Sequence, residues 1–369
     1  MTLIMVGCGF LAFMSATMLA VDIGQMMVAR TQSQNAADAG ALAGAVALVF
    51  NDFDNRSASG PAVQSAIGAA TSTGNKVMNG QASVLPEDVT FPAVDKVRVR
   101  VERSTTRGNA IKMFIGPMIG IKTANVGAIA TAEVMPATAV TCVKPFMIPD
   151  RWTEKNNLPY DPQTSTFEMY DNKGNNLPVQ DVYIPQGSPG YTGYKPQDDK
   201  GLQLILRAGT GNNIEPTMYY SWKMPGNDIG GDFYRENIAG CNHSKIKRKE
   251  LMIQEPGNMN GPTLQGIQDL IDLDPNAVWN TSCKCVKSSK FGVSPRVAPI
   301  PLYDPAKYAL AKKNGRTAEF EMANWLGFFI EKIQGGNVYG RVTPITGTLD
   351  KDAEPGTPDA FAKVIVLVE

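Results

Sequence analysis

Histidine is nearly absent: His243 is the only one in 369 residues. Most histidine-based acid–base catalysis and most zinc enzymes are excluded with it. Net charge is absent too, since 35 Lys and Arg balance 35 Asp and Glu. Nucleic acid, whose phosphates need a basic face, is therefore not the expected partner. Charged residues make up 19%, below the usual quarter or so. There is no Gly-x-Ser-x-Gly, no phosphate-binding glycine loop and no histidine metal motif. The glycine-rich stretch at 256–267 lacks a Lys-Ser/Thr ending and reads as a loop leading into a helix. Asp269 and Asp272 read as solvated helix carboxylates. Neither an enzyme nor a cofactor is expected.

Charge is also missing locally, and that absence is the strongest signal in the chain. From Leu3 to Val21 no side chain is charged, a length that suits a membrane-crossing helix or the apolar core of a filament. A secretory signal peptide would open with Lys or Arg and end at a small-residue cleavage site; no basic residue precedes this run. The helical pattern continues to about residue 49, which predicts a rod roughly 70 Å long at about 1.5 Å per residue. Its second half is built of small side chains. Ala36, Gly40 and Gly44 recur every four residues, and Ala37, Ala41 and Ala45 follow one position on. Such spacing lets helices approach closely, either a neighbouring subunit's or elements of the same domain. Asp22, Arg30 and Asp38 mark where the helix leaves the low-dielectric zone. In a filament, Asp22 would pair with a basic group of an adjacent subunit.

Beyond the rod, residues 51–60 are turn-forming. A helix is predicted over 62–78, with Val63, Ile67, Ala70 and Val77 inward and Asn79-Gly80 as its stop. Strands are predicted at 89–91 and 97–101, the latter with Val97, Val99 and Val101 inward and Arg98 and Arg100 outward. Ala110 to Met118 reads as a short amphipathic helix broken at Gly116-Pro117, and Ala124 to Val134 as a strand. Gly (35) and Pro (25) concentrate after residue 140, so the distal part should be rich in loops. Short strands are expected at 201–208 and 218–222, and a helix at 263–273. Thr317 to Gln334 carries Phe320, Trp325, Phe328, Phe329 and Ile333 beside Glu319, Glu321, Glu331 and Lys332. Its apolar part is too short to span a bilayer, and it reads as a strand pair or a mixed strand–helix segment. Ala362 to Val368 reads as a central strand. The predicted fold class is α+β: an apolar rod (1–50), a small α+β head (51–135) and a β-rich, loop-rich C-terminal domain (136–369).

Five cysteines are present. Cys8, in the apolar run, reads as a buried small hydrophobe. The other four, Cys142, Cys241, Cys283 and Cys285, fit an oxidising compartment and two disulfides. A one-residue gap makes a Cys283–Cys285 ring strained, so each is expected to pair with Cys142 or Cys241. The alternative is a zinc site of Cys241, His243, Cys283 and Cys285. Asp171 to Asn176 has a faint calcium-loop pattern, spoiled by Lys173 and by the lack of a following bidentate Glu; a polar turn is the better reading, and no metal is expected.

The pattern Asp-x-Gly-x5-Arg-x3-Gln-x-Ala-Ala-Asp-Ala-x-Ala-Leu-Ala-Gly-Ala is carried by Asp22, Gly24, Arg30, Gln34, Ala36, Ala37, Asp38, Ala39, Ala41, Leu42, Ala43, Gly44 and Ala45. It closely resembles the N-terminal segment of TadE/TadG-like proteins of tight-adherence (Tad, Flp) pilus systems. A looser likeness runs to about residue 135. A softer one lies in 256–280 and 294–305. Residues 1–4 resemble the mature start of a type IV pilin, although such pilins usually carry Glu at position five and this chain has Met5. The Asp-x-Ser-x-Ser run of a von Willebrand factor A metal site is absent, so a metal-dependent adhesin is not expected. The resemblance implies a structural subunit of an extracellular type IV/Tad-like filament. Its partners would be identical subunits, the pilus assembly machinery and, before assembly, the inner membrane. The alternative it implies is a membrane-anchored TadG-like assembly or envelope factor that does not polymerise.

Overall fold

The computed structural model describes residues 2–50, 55–75, 83–209, 213–226, 229–257 and 259–368, without the side chains of residues 2, 3, 11, 12, 15, 18, 118 and 119. The chain forms two compact units, one of Met1–Val134 with Ile365–Glu369 and one of Met135–Val364.

The first unit opens with α1 (Thr2–Phe50), a single helix as the unbroken pattern predicts. Proline at its first position starts α2 (Pro61–Gly74). The predicted inward Val63 and Ala70 are buried and Ile67 is half-buried; Val77 and the Asn79-Gly80 stop lie outside the described residues. Strands β1 (Val89–Thr90) and β2 (Lys96–Arg103) follow, then β3 (Ile111–Lys112), β4 (Thr123–Ala124) and β5 (Val126–Pro136). β2 pairs antiparallel with β1 on one side and β5 on the other. Val97, Val99 and Val101 stand opposite Ala132, Ala130 and Ala128, and these six buried side chains face α1 and α2 in one core. Alternation on a half-buried strand is what made β2 readable. The helix predicted at 110–118 is not there. In its place β3 and β4 form a ribbon closed by a 3-10 turn at Gly116–Ile119. Proline at 117 removes a helical donor, and Gly120, at φ +87°, turns the chain back.

The second unit contains β6 (Ala139–Val140), β7 (Phe146–Pro149), α3 (Pro196–Asp199), β8 (Gln203–Ala208), β9 (Met218–Ser221), α4 (Gly231–Ala239), β10 (Ile246–Lys247), β11 (Leu251–Ile253), α5 (Asn260–Leu273), β12 (Val278–Asn280), β13 (Cys285–Lys287), β14 (Val297–Tyr303), α6 (Pro305–Lys313), β15 (Glu319–Gln334), β16 (Asn337–Thr343) and β17 (Ile345–Thr346). Its centre is a barrel. The sheet runs β15–β14–β7–β9–β8–β16, and β16 pairs back onto β15. Closure removes the open edges that a flat sheet would present. β11 adds to β15 outside the ring.

Residues 317–334 form neither a strand pair nor a strand–helix mixture; β15 is one strand of 16 residues. It reaches three neighbours by bending. It pairs with β11 over Glu319–Glu321, with β14 up to Phe329, and with β16 from Gly327 on, with irregularities in the pairing at Leu302/Tyr303 and Ile330/Lys332. Trp325 to Ile330 are buried without a break, so no polar alternation marks the middle of the strand. Its even-numbered residues Leu326, Phe328 and Ile330 join a core with Ile148, Leu204, Ile300 and Val338. Trp325 and Phe320 join another with Met147 and Tyr303, where the Tyr308 and Phe320 rings stack 4.1 Å apart.

The last strand, β18 (Ala362–Leu367), begins in the second unit beside β17. Its end belongs to the first, where Ile365 packs on the core and Val368 donates its N–H to the Thr131 carbonyl at 2.9 Å.

Candidate functional site

Every described side chain of α1 from Ile4 to Val21 is exposed. Met5 is 75% exposed, Phe13 68% and Phe10 60%, and Met27 beyond the charge-free run is 66%. Large apolar groups gathered in this way mark a surface that is covered in use. Among the described residues, however, no helix is long and apolar enough to cross a membrane. The expectation of a membrane-spanning anchor is therefore not met by the described helix.

The small-residue half of α1 faces inward. Ala36, Ala37, Gly40, Ala41, Gly44 and Ala45 are all buried within the first unit. A Cβ on Gly40 would lie 2.9 Å from the Ala70 Cβ and 3.0 Å from the Ala66 carbonyl; one on Gly44 would lie 2.9 Å from Val97 and 3.1 Å from the Ala66 Cβ. These six residues seat α1 on α2 and β2.

Asp22 is only 2% exposed and turned inward. Its carboxylate accepts the N–H of Phe114 at 2.6 Å, of Ile115 at 2.9 Å and of Gly116 at 3.0 Å. Burial pushes this carboxyl up, but the three amides pull it down further, so it stays below its ordinary value. Asp22 thus pins the β3–β4 ribbon to α1 at the point where the charge-free run ends. Asp38 accepts from the Gln34 amide at 2.8 Å. Arg30 points to solvent.

The four distal cysteines form two disulfides, but not in the expected pairing. Cys142 bonds Cys241 and Cys283 bonds Cys285. The near pair is accommodated because Lys284 between them takes a left-handed backbone, φ +46°, in the turn joining β12 to β13. That opens the two Cα atoms to 5.2 Å, an ordinary disulfide span. With all four sulfurs bonded, the zinc set of Cys241, His243, Cys283 and Cys285 has no thiolate to offer. Cys8 is free and exposed rather than buried.

The Asp171 loop is a polar turn: its carboxylate accepts the N–H groups of Lys173 and Asn175, each at 2.8 Å. It borders a polar groove of about 440 Å³, which Lys312 and Lys313 also line.

The second unit also buries an acid that nothing in the sequence singled out. Asp150 is fully buried and accepts from the N–H of Arg151 and Tyr194 and from the hydroxyls of Tyr183 and Tyr191, at 2.9–3.0 Å. Burial outweighs these donors and pushes its carboxyl up to about 6. The folded state therefore holds the proton more tightly than the unfolded chain. The associated stability is present in full below about 3.8 and is lost as pH rises through about 6, a change of roughly 3 kcal/mol. Urea unfolding from pH about 4 to about 7 should show this loss in the wild type, and Asp150→Asn should flatten that part of the profile.

The charge-free run, the inward small-residue stripe and the Asp–Gly–Arg–Gln–Ala-Ala-Asp pattern lie on one helix. Residues 1–47 match the family of putative Flp pilus-assembly TadE/G-like proteins. No curated protein and no solved structure matches the chain. The TadE/G-like segment thus covers α1 almost to its end at Phe50, including Asp22 and the residues that α2 and β2 hold. The feature that sequence reasoning missed is the 111–124 ribbon beside it. Its signal, an apolar stretch bounded by Lys112 and Lys122, has the density of a helix face and hid the turn.

Proposed function

We propose that the chain is a structural, non-enzymatic subunit of a Tad-like pilus, held in the polymer by its N-terminal helix. The exposed apolar surface of α1 from Ile4 to Met27 carries this reading: its side chains are too large and too many to remain in water, and identical helices would cover them. Each would contribute about 1.5–3 kcal/mol on burial, enough to hold a filament without covalent links. The pilus-assembly family match over the same helix supports it. On this reading the chain resides at the inner membrane before assembly and in an extracellular filament afterwards, with the pilus assembly machinery as its partner. A membrane-anchored factor that does not polymerise would expose the same helix, and the tests separate the two.

Electron microscopy of the native material should show filaments; isolated particles would favour the anchored factor. Mass spectrometry of the native N-terminus should find it trimmed and N-methylated. Phe10→Glu with Phe13→Glu should raise the concentration needed for polymerisation at least about a hundredfold. Unchanged assembly of that variant would refute helix packing as the basis of the polymer.

A further inference from the structure

The ribbon at Ile111–Ala124 has the sequence Ile-Lys-Met-Phe-Ile-Gly-Pro-Met-Ile-Gly-Ile-Lys-Thr-Ala, and the proposed filament gives it no role. Phe114 is 76% exposed and Ile121 52%. Lys112 and Lys122, on either side of the turn, are exposed and make no ion pair among the described residues. The ribbon is also held firmly. Ile111 pairs with Ala124 and Lys112 with Thr123, Met113 N–H donates to the Lys122 carbonyl at 3.1 Å, and Ile121 N–H to the Gly116 carbonyl at 2.7 Å. The three amides on Asp22 fix its tip against α1.

We propose that this ribbon is an interfacial contact for an anionic lipid surface, with Phe114 and Ile121 entering the headgroup boundary and Lys112 and Lys122 meeting lipid phosphates. Charge decides the occupant. The acid that touches the tip, Asp22, is spent on backbone amides, and the two exposed side chains flanking the turn, Lys112 and Lys122, are positive. A second copy's α1 offers no charge from residue 3 to 21 and would leave both lysines unpaired, whereas an anionic bilayer surface supplies their counter-charge. Aromatic side chains are at home at the boundary between headgroup and acyl chain. The position fits as well: the tip lies one hydrogen bond from Asp22, where the charge-free run stops.

The test uses the full chain with phosphatidylcholine vesicles, with and without phosphatidylglycerol, in a co-sedimentation assay. The run of α1 from residue 3 to 21 has no charge with which to tell the two kinds apart, and the lysine variants assign the preference for phosphatidylglycerol to the ribbon. Two lysines at the surface should give about a thirtyfold preference, falling in high salt. Lys112→Gln with Lys122→Gln should abolish it, and Lys112→Glu with Lys122→Glu should reverse it. Phe114→Ser with Ile121→Ser should weaken binding to both vesicles while keeping the preference. Equal preference in the wild type and the lysine variants, with unchanged melting curves, would overturn the proposal. So would loss of filaments in the lysine variants with lipid preference intact, which would make the ribbon a subunit contact. The filament reading stands or falls separately, on microscopy of the wild type.

Discussion

Serine at both Cys142 and Cys241 should cost the second unit about 4–5 kcal/mol of stability, because this disulfide closes a loop whose ends are 99 residues apart. Much of the expected effect lies in the unfolded chain, which the crosslink keeps from expanding. The native environment adds to it. Cys142 holds a left-handed backbone at φ +57°, and its N–H donates to the Asn242 carbonyl at 2.9 Å, next to the pairing of β6 with β10. Two residues on, the buried Lys144 ammonium donates to the carbonyls of Ile238 and Gly240, both at 2.7 Å, where α4 ends. The disulfide therefore ties down a corner that orders both the entry to β7 and the exit of α4. Cys283–Cys285 closes only a three-residue ring, for which the same relation gives about 1.6 kcal/mol. In urea melts the Cys142→Ser, Cys241→Ser variant should lose about three times as much stability as Cys283→Ser, Cys285→Ser, and its Tm should fall by about 10–15 °C. Equal losses for the two pairs would show that loop length does not set their order.

Contrasts within the chain explain what the sequence makes legible. α1 and β2 can be read because solvent or a single core covers them in a regular way: β2 alternates Val with Arg, and its three valines are buried. β15 lacks that alternation through its middle, since barrel walls are covered on both faces, and only its length and aromatic content hinted at a strand. Closure of the ring cannot be read at all. It depends on β7 meeting β14 and β9 and on β8 meeting β16, contacts far apart in sequence. Asp22 shows a further limit. The end of an apolar run predicts that a carboxylate there needs a partner, but its partners are backbone amides 92 to 94 residues away, and backbone donors carry no residue signature. The inward small residues could be read as a close-packing face. Which neighbour they pack against could not, because α2 and a second subunit's helix ask for the same spacing.

Phe328→Ala should cost about 3–5 kcal/mol, and the identity of its neighbour makes that figure testable beyond its size. Phe328 is fully buried and pairs across the barrel seam with Val342, while Gly340 stands opposite Ile330. A Cβ on Gly340 would lie 2.3 Å from the Phe328 Cζ and 2.5 Å from its Cε1. The ring occupies the space that Gly340 leaves, which is why a glycine sits mid-strand despite its conformational cost. Gly340→Ala alone should cost about 1–3 kcal/mol, because the ring must move in a packed core. After Phe328→Ala the ring is gone and the added methyl enters part of the cavity. The Phe329 carbonyl, 2.6 Å from that Cβ, still resists it, so the rescue is partial. The double mutant should therefore be more stable than the sum of the single changes by about 0.5–3 kcal/mol, read from urea melts of all four proteins. Strict additivity would mean that the ring and the glycine do not share a space, and that the β15–β16 seam closes the barrel without this interlock.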